Sequence, residues 1–320
     1  MAWQLYQGDA LETLKQMEDE SINCCVTSPP YWGLRDYGVD GQLGLEPTPE
    51  EYVAKMVEVF REVKRVLRND GTLWLNLGDS YANANPGSGG QCKLSGAGRN
   101  MTEARYTNIK RDVSSLKPKD LAGIPWRVAL ALQADGWWLR SDIIWAKGNP
   151  MPEPVQDRPT KAHEYIFLLS KSERYFYDAE AIKEKSVDPK GSANRYNYAF
   201  SGRDGLIMPD GKPQQIALKG MREFSGMRNK RTVWNIATKP YKEAHFATFP
   251  EELIKPCILA GCPEGSIVLD PFFGAGTTGL VALTHNRGFI GIELNPEYIE
   301  IAKTRLSPWL HQSRLNEVFA

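Results

Sequence analysis

Between Glu50 and Leu67 the apolar residues Val53, Met56, Val57, Phe60, Val63, Val66 and Leu67 recur at three- and four-residue spacing. That period predicts an amphipathic helix, and Asn69-Asp70-Gly71 supplies a stop signal behind it. Two short β-prone runs flank the helix: Ile22 to Thr27, which breaks at a Pro-Pro pair, and Gly71 to Leu77. The three segments form a β-α-β unit, which favours a mostly parallel sheet covered on both faces. Further on, a helix is predicted around Pro125 to Ala134 and strands around Trp138 to Trp145 and Glu164 to Ser170. The last 80 residues alternate regularly: helix 250–259, strand 266–270, helix 277–284, strand 288–293 and helix 296–306.

Two stretches break this alternation. Asp79 to Lys119 is rich in Gly, Asn and Ser without a sustained period, and reads as a mobile loop. Lys183 to Thr232 is polar, basic and rich in Gly and aromatic residues, again without a period. The boundaries predicted are therefore residues 1–182 and 243–320 for one α/β domain, and 183–242 for an inserted region.

Charge sharpens that division. The chain carries 39 Lys/Arg and 39 Asp/Glu, so its total charge says nothing of partners. Its distribution does: Lys183 to Lys242 holds 13 basic residues against five acids, and Gln91 to Lys119 holds seven against two. Two basic stretches on an acidic body suit a protein that holds a polyanion on one side. Basic loops that merely solvate themselves fit the same count.

Other classes recede. The N-terminus has no basic region followed by an apolar run, and no stretch reaches the ~20 apolar residues that span a bilayer, so a cytoplasmic protein is expected. The cysteines Cys24, Cys25, Cys92, Cys257 and Cys262 form no CxxC pair and do not group with His163, His245, His285 or His311. No metal is expected, and the cysteines read as small apolar side chains.

Candidate chemistry concentrates in two motifs. Ser266-Ile-Val-Leu-Asp270-Pro-Phe272-Phe-Gly274-Ala-Gly276-Thr277-Thr278-Gly279 is a strand, a glycine-rich turn and a helix start. Glycines there let backbone approach a ligand closely. Gly274 to Gly279 also fits GxGxxG, with Glu293 near the place of a ribose-binding acid, so a nicotinamide oxidoreductase has to be weighed. Against it stand a carboxylate, Asp270, at the strand's end and a Thr-Thr helix start that caps its own amides. Asp270 suits the methionine part of S-adenosyl-L-methionine and Glu293 its ribose hydroxyls.

The second motif, Thr27-Ser28-Pro29-Pro30-Tyr31-Trp32, directly follows a strand, so it lies at the edge where α/β sheets bind ligands. Two prolines stiffen it and remove two amide donors. A base amine is a poor nucleophile because its lone pair is delocalised; acceptors at the Ser28 side chain and the Pro29 carbonyl favour a pyramidal nitrogen. Tyr31, with Trp32 beside it, offers a stacking face for a base, which has to leave a duplex to be reached. An ordinary Pro-Pro turn over a packed aromatic is the rival reading of this segment alone.

Ser28-Pro-Pro-Tyr31, Asp270 to Thr278 and Gly291-Ile-Glu293-Leu-Asn295, in that order, resemble the DNA amino-methyltransferases in their β-class permutation. The resemblance implies a Rossmann-like methyltransferase fold with a mostly parallel twisted sheet of seven strands, one antiparallel, and an inserted target-recognition region. It implies catalytic positions at Ser28, Pro29, Pro30 and Tyr31. Asp270, Phe272, Gly274, Gly276, Thr277, Thr278 and Glu293 are implied for the donor S-adenosyl-L-methionine, with Asp9 of Gln7-Gly-Asp9 towards its adenine. Trp145-Ala-Lys147 and His163-Glu-Tyr165 resemble the motifs near the target pocket, while Ala247-Thr-Phe249-Pro250 is a loose match to the segment before the donor strand. Ser before Pro-Pro tilts the substrate to cytosine N4, with adenine N6 the same-reaction alternative. A 5-methylcytosine enzyme is rejected, because Pro256-Cys257 lies on a helix before the glycine motif. A catalytically silent DNA-binding protein is the other class of reading. The partners expected are double-stranded DNA, a cognate restriction endonuclease and a second copy of the chain.

Overall fold

The computed structural model describes residues 2–34, 38–82, 116–117, 119–187, 226–239 and 249–318. Most of the two basic stretches lies outside the described residues, as do Cys92 and residues 247–248.

The helix predicted from the 50–67 periodicity is α2 (Pro49–Val66). Thr48 caps it, its hydroxyl accepting from the Glu51 amide at 3.1 Å. Pro49, Glu50 and Glu51 occupy the first turn and Lys64 and Arg65 the last, each sign facing the end of the helix dipole that favours it. Asn69-Asp70-Gly71 does not end it. The backbone becomes extended at Leu67 and runs straight into an eleven-residue strand, β3 (Leu67–Leu77), which contains those three residues near its start, Asn69 and Asp70 exposed and Gly71 buried.

Before these come β1 (Trp3–Gln7), α1 (Ala10–Lys15) and β2 (Ile22–Thr27). After them come α3 (Ile124–Ala134), β4 (Trp138–Ala146) and β5 (His163–Ser170). The short pieces β6 (Glu184–Lys185), β7 (Met227–Arg228) and β8 (Val233–Asn235) come next. The chain closes with α4 (Glu251–Gly261), β9 (Ile267–Asp270), α5 (Thr277–Thr284), β10 (Gly288–Glu293) and α6 (Pro296–Val318).

The main sheet has eight strands in the order β1-β10-β9-β2-β3-β5-β4-β8. All neighbours are parallel except at β5, which is antiparallel to both β3 and β4. This is the Rossmann-like α/β architecture expected, with one strand more than the seven predicted. The addition, β8, is three residues long at the sheet edge beside β4, too short for a sequence period to reveal.

β3 separates the two faces by its period of two. Leu73, Leu75 and Leu77 join a buried cluster with Tyr52, Met56 and Phe60 of α2 and Val128 and Leu132 of α3. Thr72 and Trp74 point the other way, where the Thr72 hydroxyl donates to the Gly261 carbonyl at the end of α4 (3.3 Å). Chain contacts divide the molecule into two compact units, residues 1–177 with 232–320, and residues 178–231. The second contains the two-stranded β6–β7 ribbon, where Glu184 binds both Arg228 and Arg231.

Gly261 has no room for a side chain: a Cβ there would lie 2.4 Å from Trp74 Nε1 and 2.7 Å from Thr72 Oγ1. Gly261→Ala should therefore destabilise the fold by about 1–3 kcal/mol, the usual range for overpacking. Urea unfolding measures it; an unchanged midpoint would show that α4 slides freely on the sheet.

Candidate active site

The seven parallel strands all point their carboxyl ends at one edge, and antiparallel β5 begins there. A cavity of about 1070 Å³ runs along this edge. Its wall is made from the loops leaving β1 (Gly8, Asp9), β2 (Ser28 to Tyr31), β3 (Gly78, Asp79), β4 (Lys147), β9 (Pro271 to Ala275) and β10 (Leu294, Asn295), together with the start of β5 (His163, Glu164). Nine of the twelve residues singled out by sequence line this cavity: Asp9, Ser28, Pro29, Pro30, Tyr31, Phe272, Gly274, Thr277 and Glu293.

One end is built by β1, β9 and β10. Gly274 has φ +51° and open space where a Cβ would point, so the turn presents bare backbone to the cavity. Its amide donates to Glu293 Oε2 at 2.8 Å, and the Asn295 amide donates to Glu293 Oε1 at 2.7 Å. Burial still raises the Glu293 pKa against these hydrogen bonds. Each carboxylate oxygen has a second lone pair, so Glu293 can still accept from a hydroxyl. Asp9 caps α1, accepting from the Glu12 amide at 2.9 Å, and the Gly8 amide bonds the Glu293 carbonyl at 2.9 Å. The first strand thus sits with the C-terminal half of the chain, although its sequence position groups it with the catalytic half.

The other end is polar and charged. Ser28 Oγ donates to Tyr31 Oη at 3.2 Å, and Tyr31 Oη lies 3.0 Å from Asn76 Oδ1 and 2.8 Å from Glu164 Oε2. Glu164 is ion-paired with Lys147, whose ammonium sits 4.7 Å from the centre of the Trp145 ring. The Tyr31 ring lies against Gly78, where a Cβ would come within 2.5 Å of it. Tyr52 fixes the turn from below, its hydroxyl donating to the Pro30 carbonyl at 2.9 Å. Trp32 does not join Tyr31 at the cavity: it is 2% exposed and donates its indole N–H to the Glu46 carbonyl at 2.9 Å. Its large apolar ring does more for the core than a solvated stacking face would.

Asp270, Gly276 and Thr278 do not line the cavity. Asp270 is 1% exposed and already accepts three hydrogen bonds. It accepts from Thr27 Oγ1 and Thr278 Oγ1, both at 2.6 Å, and from the Phe272 amide at 3.0 Å. The carboxylate expected to meet a ligand instead ties the end of β2 to the turn after β9, because a buried acid needs donors and two threonines supply them. Gly276, at φ +80°, is the residue preceding α5; a Cβ there would press within 3.2 Å of Ala302. Cys257 is buried on α4, in keeping with an apolar role. Among the described residues no group of His, Cys, Asp or Glu could hold a metal ion. No described helix is long and apolar enough to cross a membrane.

Asn76, Asp79 and Lys161 are cavity residues that sequence reading did not single out. Asn76 stands inside the apolar run of β3, and a polar residue in a buried strand was the available signal.

Comparison with known proteins shows the family. A family model described as DNA methylase, for the N6 and N4 enzymes, matches residues 22–304. Type II methyltransferase M.Cfr9I of Citrobacter freundii is 48% identical over 303 residues, covering 94% of this chain and 87% of its own. Type II methyltransferase M.SmaI of Serratia marcescens is 47% identical over 299 residues, covering 93% and 89%. Among solved structures, the cytosine-N4-specific PvuII DNA methyltransferase superposes with a TM-score of 0.60 at 21% identity, covering 94% of this chain and 85% of its own. M1.HpyAVI in complex with SAM superposes at 0.50 with 18% identity, covering 95% and 99%. The two superpositions speak to the fold.

Burial lifts the Asp270 pKa from 3.8 to about 6, against the pull of its three hydrogen bonds. The folded state therefore holds this proton more tightly than the unfolded chain. The stability it contributes is complete below pH ~4 and is lost as the pH rises through ~6, roughly 3 kcal/mol in all. Asp270→Asn, which cannot titrate, should flatten the fall in urea-unfolding free energy between pH 4 and 6.5. An unaltered slope would mean that the carboxylate titrates as it does in water.

Proposed function

The chain belongs to the N6/N4 DNA methylase family, and from that premise we propose a Type II enzyme that methylates the N4 amine of a cytosine turned out of duplex DNA, with S-adenosyl-L-methionine as donor. The observation that carries this reading is the single cavity spanning the bare glycine turn beside Glu293 and the acceptor-rich Ser28–Tyr31 loop.

The donor end suits S-adenosyl-L-methionine. Gly274 leaves the backbone open at the turn, Glu293 keeps acceptor capacity for ribose hydroxyls, Phe272 offers an apolar surface, and Asp9 carries an acid for the adenine side. When bound, the donor supplies a methyl group on a positively charged sulfur.

At the other end the chain's own groups act on the amine. Ser28 Oγ and the Pro29 carbonyl accept its N–H bonds and draw the nitrogen out of conjugation. The Tyr31 hydroxyl links Ser28 Oγ to Glu164 Oε2, so a hydrogen-bonded path leads from the amine's acceptor to a carboxylate. The proton the amine releases leaves along it. Lys147 pairs with Glu164 and holds it beside Tyr31. The fixed carboxylate of Glu164 favours positive charge developing at the amine. Ser28, where an acid would otherwise stand, favours cytosine N4 over adenine N6.

Residues 183–242 we assign to sequence reading, Lys and Arg meeting phosphates and a few side chains reaching base edges. This fits the region's excess of basic residues. The Type II relatives extend the reading to a partner endonuclease acting at the same site.

Incubation with labelled donor and DNA, followed by digestion to nucleosides, should yield N4-methyldeoxycytidine; N6-methyldeoxyadenosine would overturn the cytosine assignment. Ser28→Ala should lower kcat about 100-fold, within the range of proton-transfer and oriented-dipole contributions. The affinity for S-adenosylhomocysteine should stay within about twofold, and a variant with full activity would remove Ser28 from the chemistry. Exchanging 183–242 for a relative's segment should change the site methylated, as mapped by sequencing; an unchanged site would place recognition elsewhere.

A further inference from the structure

Lys161 lines the cavity, yet its ammonium nitrogen is shielded from solvent and has no hydrogen-bond partner among the described residues. Three carboxylates act on it through space, and none of them hydrogen-bonds its ammonium. Asp79 Oδ1 accepts from the Ser80 and Ile124 amides at 2.9 and 3.1 Å. Glu153 Oε2 accepts from Arg158 at 2.6 Å. Glu164 is held by Lys147 and Tyr31. Burial lowers the Lys161 pKa in spite of these acids, so the cation stands without the acceptor that would offset its loss of water. Buried polar groups are nearly always satisfied, and an exception on a cavity wall marks a place for a ligand's acceptor.

The chemistry of the target base identifies that acceptor. Ser28 Oγ and the Pro29 carbonyl meet the exocyclic amine, and the Tyr31 hydroxyl joins Ser28 to Asn76 Oδ1 and Glu164. Beyond its amine, the edge of cytosine continues with two acceptors, the ring nitrogen N3 and the carbonyl O2. Adenine offers the equivalent ring nitrogen and then a C–H. A shielded donor on the wall of the same cavity, acted on by Glu164 and without a partner among the described residues, matches the one group that cytosine has and adenine lacks. A backbone phosphate would stay at the solvent edge, where a shielded nitrogen cannot follow it.

We propose that Lys161 is a specificity-determining residue, donating a hydrogen bond to the 2-carbonyl of the target cytosine. The inference rests on the cytosine reading above and deepens it. The base completes the lysine's hydrogen bonding on entry, and a base without the carbonyl leaves the ammonium stranded.

The test pairs two changes. Wild type and Lys161→Met are compared on duplexes whose target is either cytosine or a 2-aminopyridine C-nucleoside, which keeps the amine and adjacent ring nitrogen but lacks the carbonyl. Differences in amine reactivity affect both proteins alike and cancel in the ratio of kcat/KM values. Loss of the carbonyl should cost wild type at least tenfold more than it costs Lys161→Met, in line with a buried hydrogen bond to a charged group. Lys161→Gln, which keeps a shorter donor, should fall between and serves if the Met variant does not fold. Equal penalties in wild type and variant, with cytosine still methylated, would overturn the role of Lys161 alone. A Lys161→Met variant that loses S-adenosylhomocysteine affinity would also overturn it, by assigning the lysine to the donor's carboxylate. Methyladenine from unmodified duplex would remove the cytosine reading and this inference together.

Discussion

β2 and β9 are the adjacent strands at which the acceptor half and the donor half of the sheet meet, and backbone pairing between them is brief: Cys24 with Val268 and Cys25 with Leu269. Beyond that pair the strands diverge into two different loops, one carrying Ser28 and the other Gly274. What holds the loops in register is the carboxylate of Asp270, gripped by Thr27 from one strand end and by Thr278 and the Phe272 amide from the other. A transfer reaction needs its two partners held at near-contact distance, and small displacements are costly in rate. A buried acid with three donors gives that precision, because moving either loop would strand a polar group in a site without water.

The donor turn is shaped by a second constraint of a different kind. Phe273 is buried and stacked on Phe289 at 5.2 Å between ring centres. Its ring fits only because Gly279 and Gly291 lack side chains, a Cβ at either coming within 2.7 or 2.5 Å of it. Gly279 of the motif and Gly291 of β10 therefore serve packing, and Gly274 keeps backbone open to the cavity. Dispersion and volume fix the turn; hydrogen bonding fixes its distance from the acceptor loop.

Much of this could be read in the chain. The 50–67 helix, the alternating elements of the last 80 residues and the two motifs declared themselves through period, punctuation and local order. The sheet edge β8 did not, because three residues hold no period. The polar network was only half legible: Ser28 and Tyr31 stand in one motif and Lys147 and Glu164 in segments resembling those near the target pocket, but Asn76 lies in a plain apolar run, and sequence separation carries no trace of how Asn76 and Glu164 meet Tyr31. Trp32 was legible as a residue and misread as a surface, and the three donors that hold Asp270 were not visible in its motif. An acid after a strand looks the same whether its oxygens face a ligand or two threonines, and a tryptophan beside a tyrosine looks the same whether it stacks or packs. Burial decides, and burial is a property of the assembled sheet.

One cavity, on this reading, brings donor and base amine together across the β2–β9 junction. A crystal structure with S-adenosylhomocysteine and a duplex containing the target site tests it most directly. The expected result is the thioether against the Gly274 turn with ribose on Glu293, and an extruded cytosine with its amine at Ser28. A base bound away from the Ser28–Tyr31 loop, or a donor product bound away from Gly274 and Glu293, would contradict it.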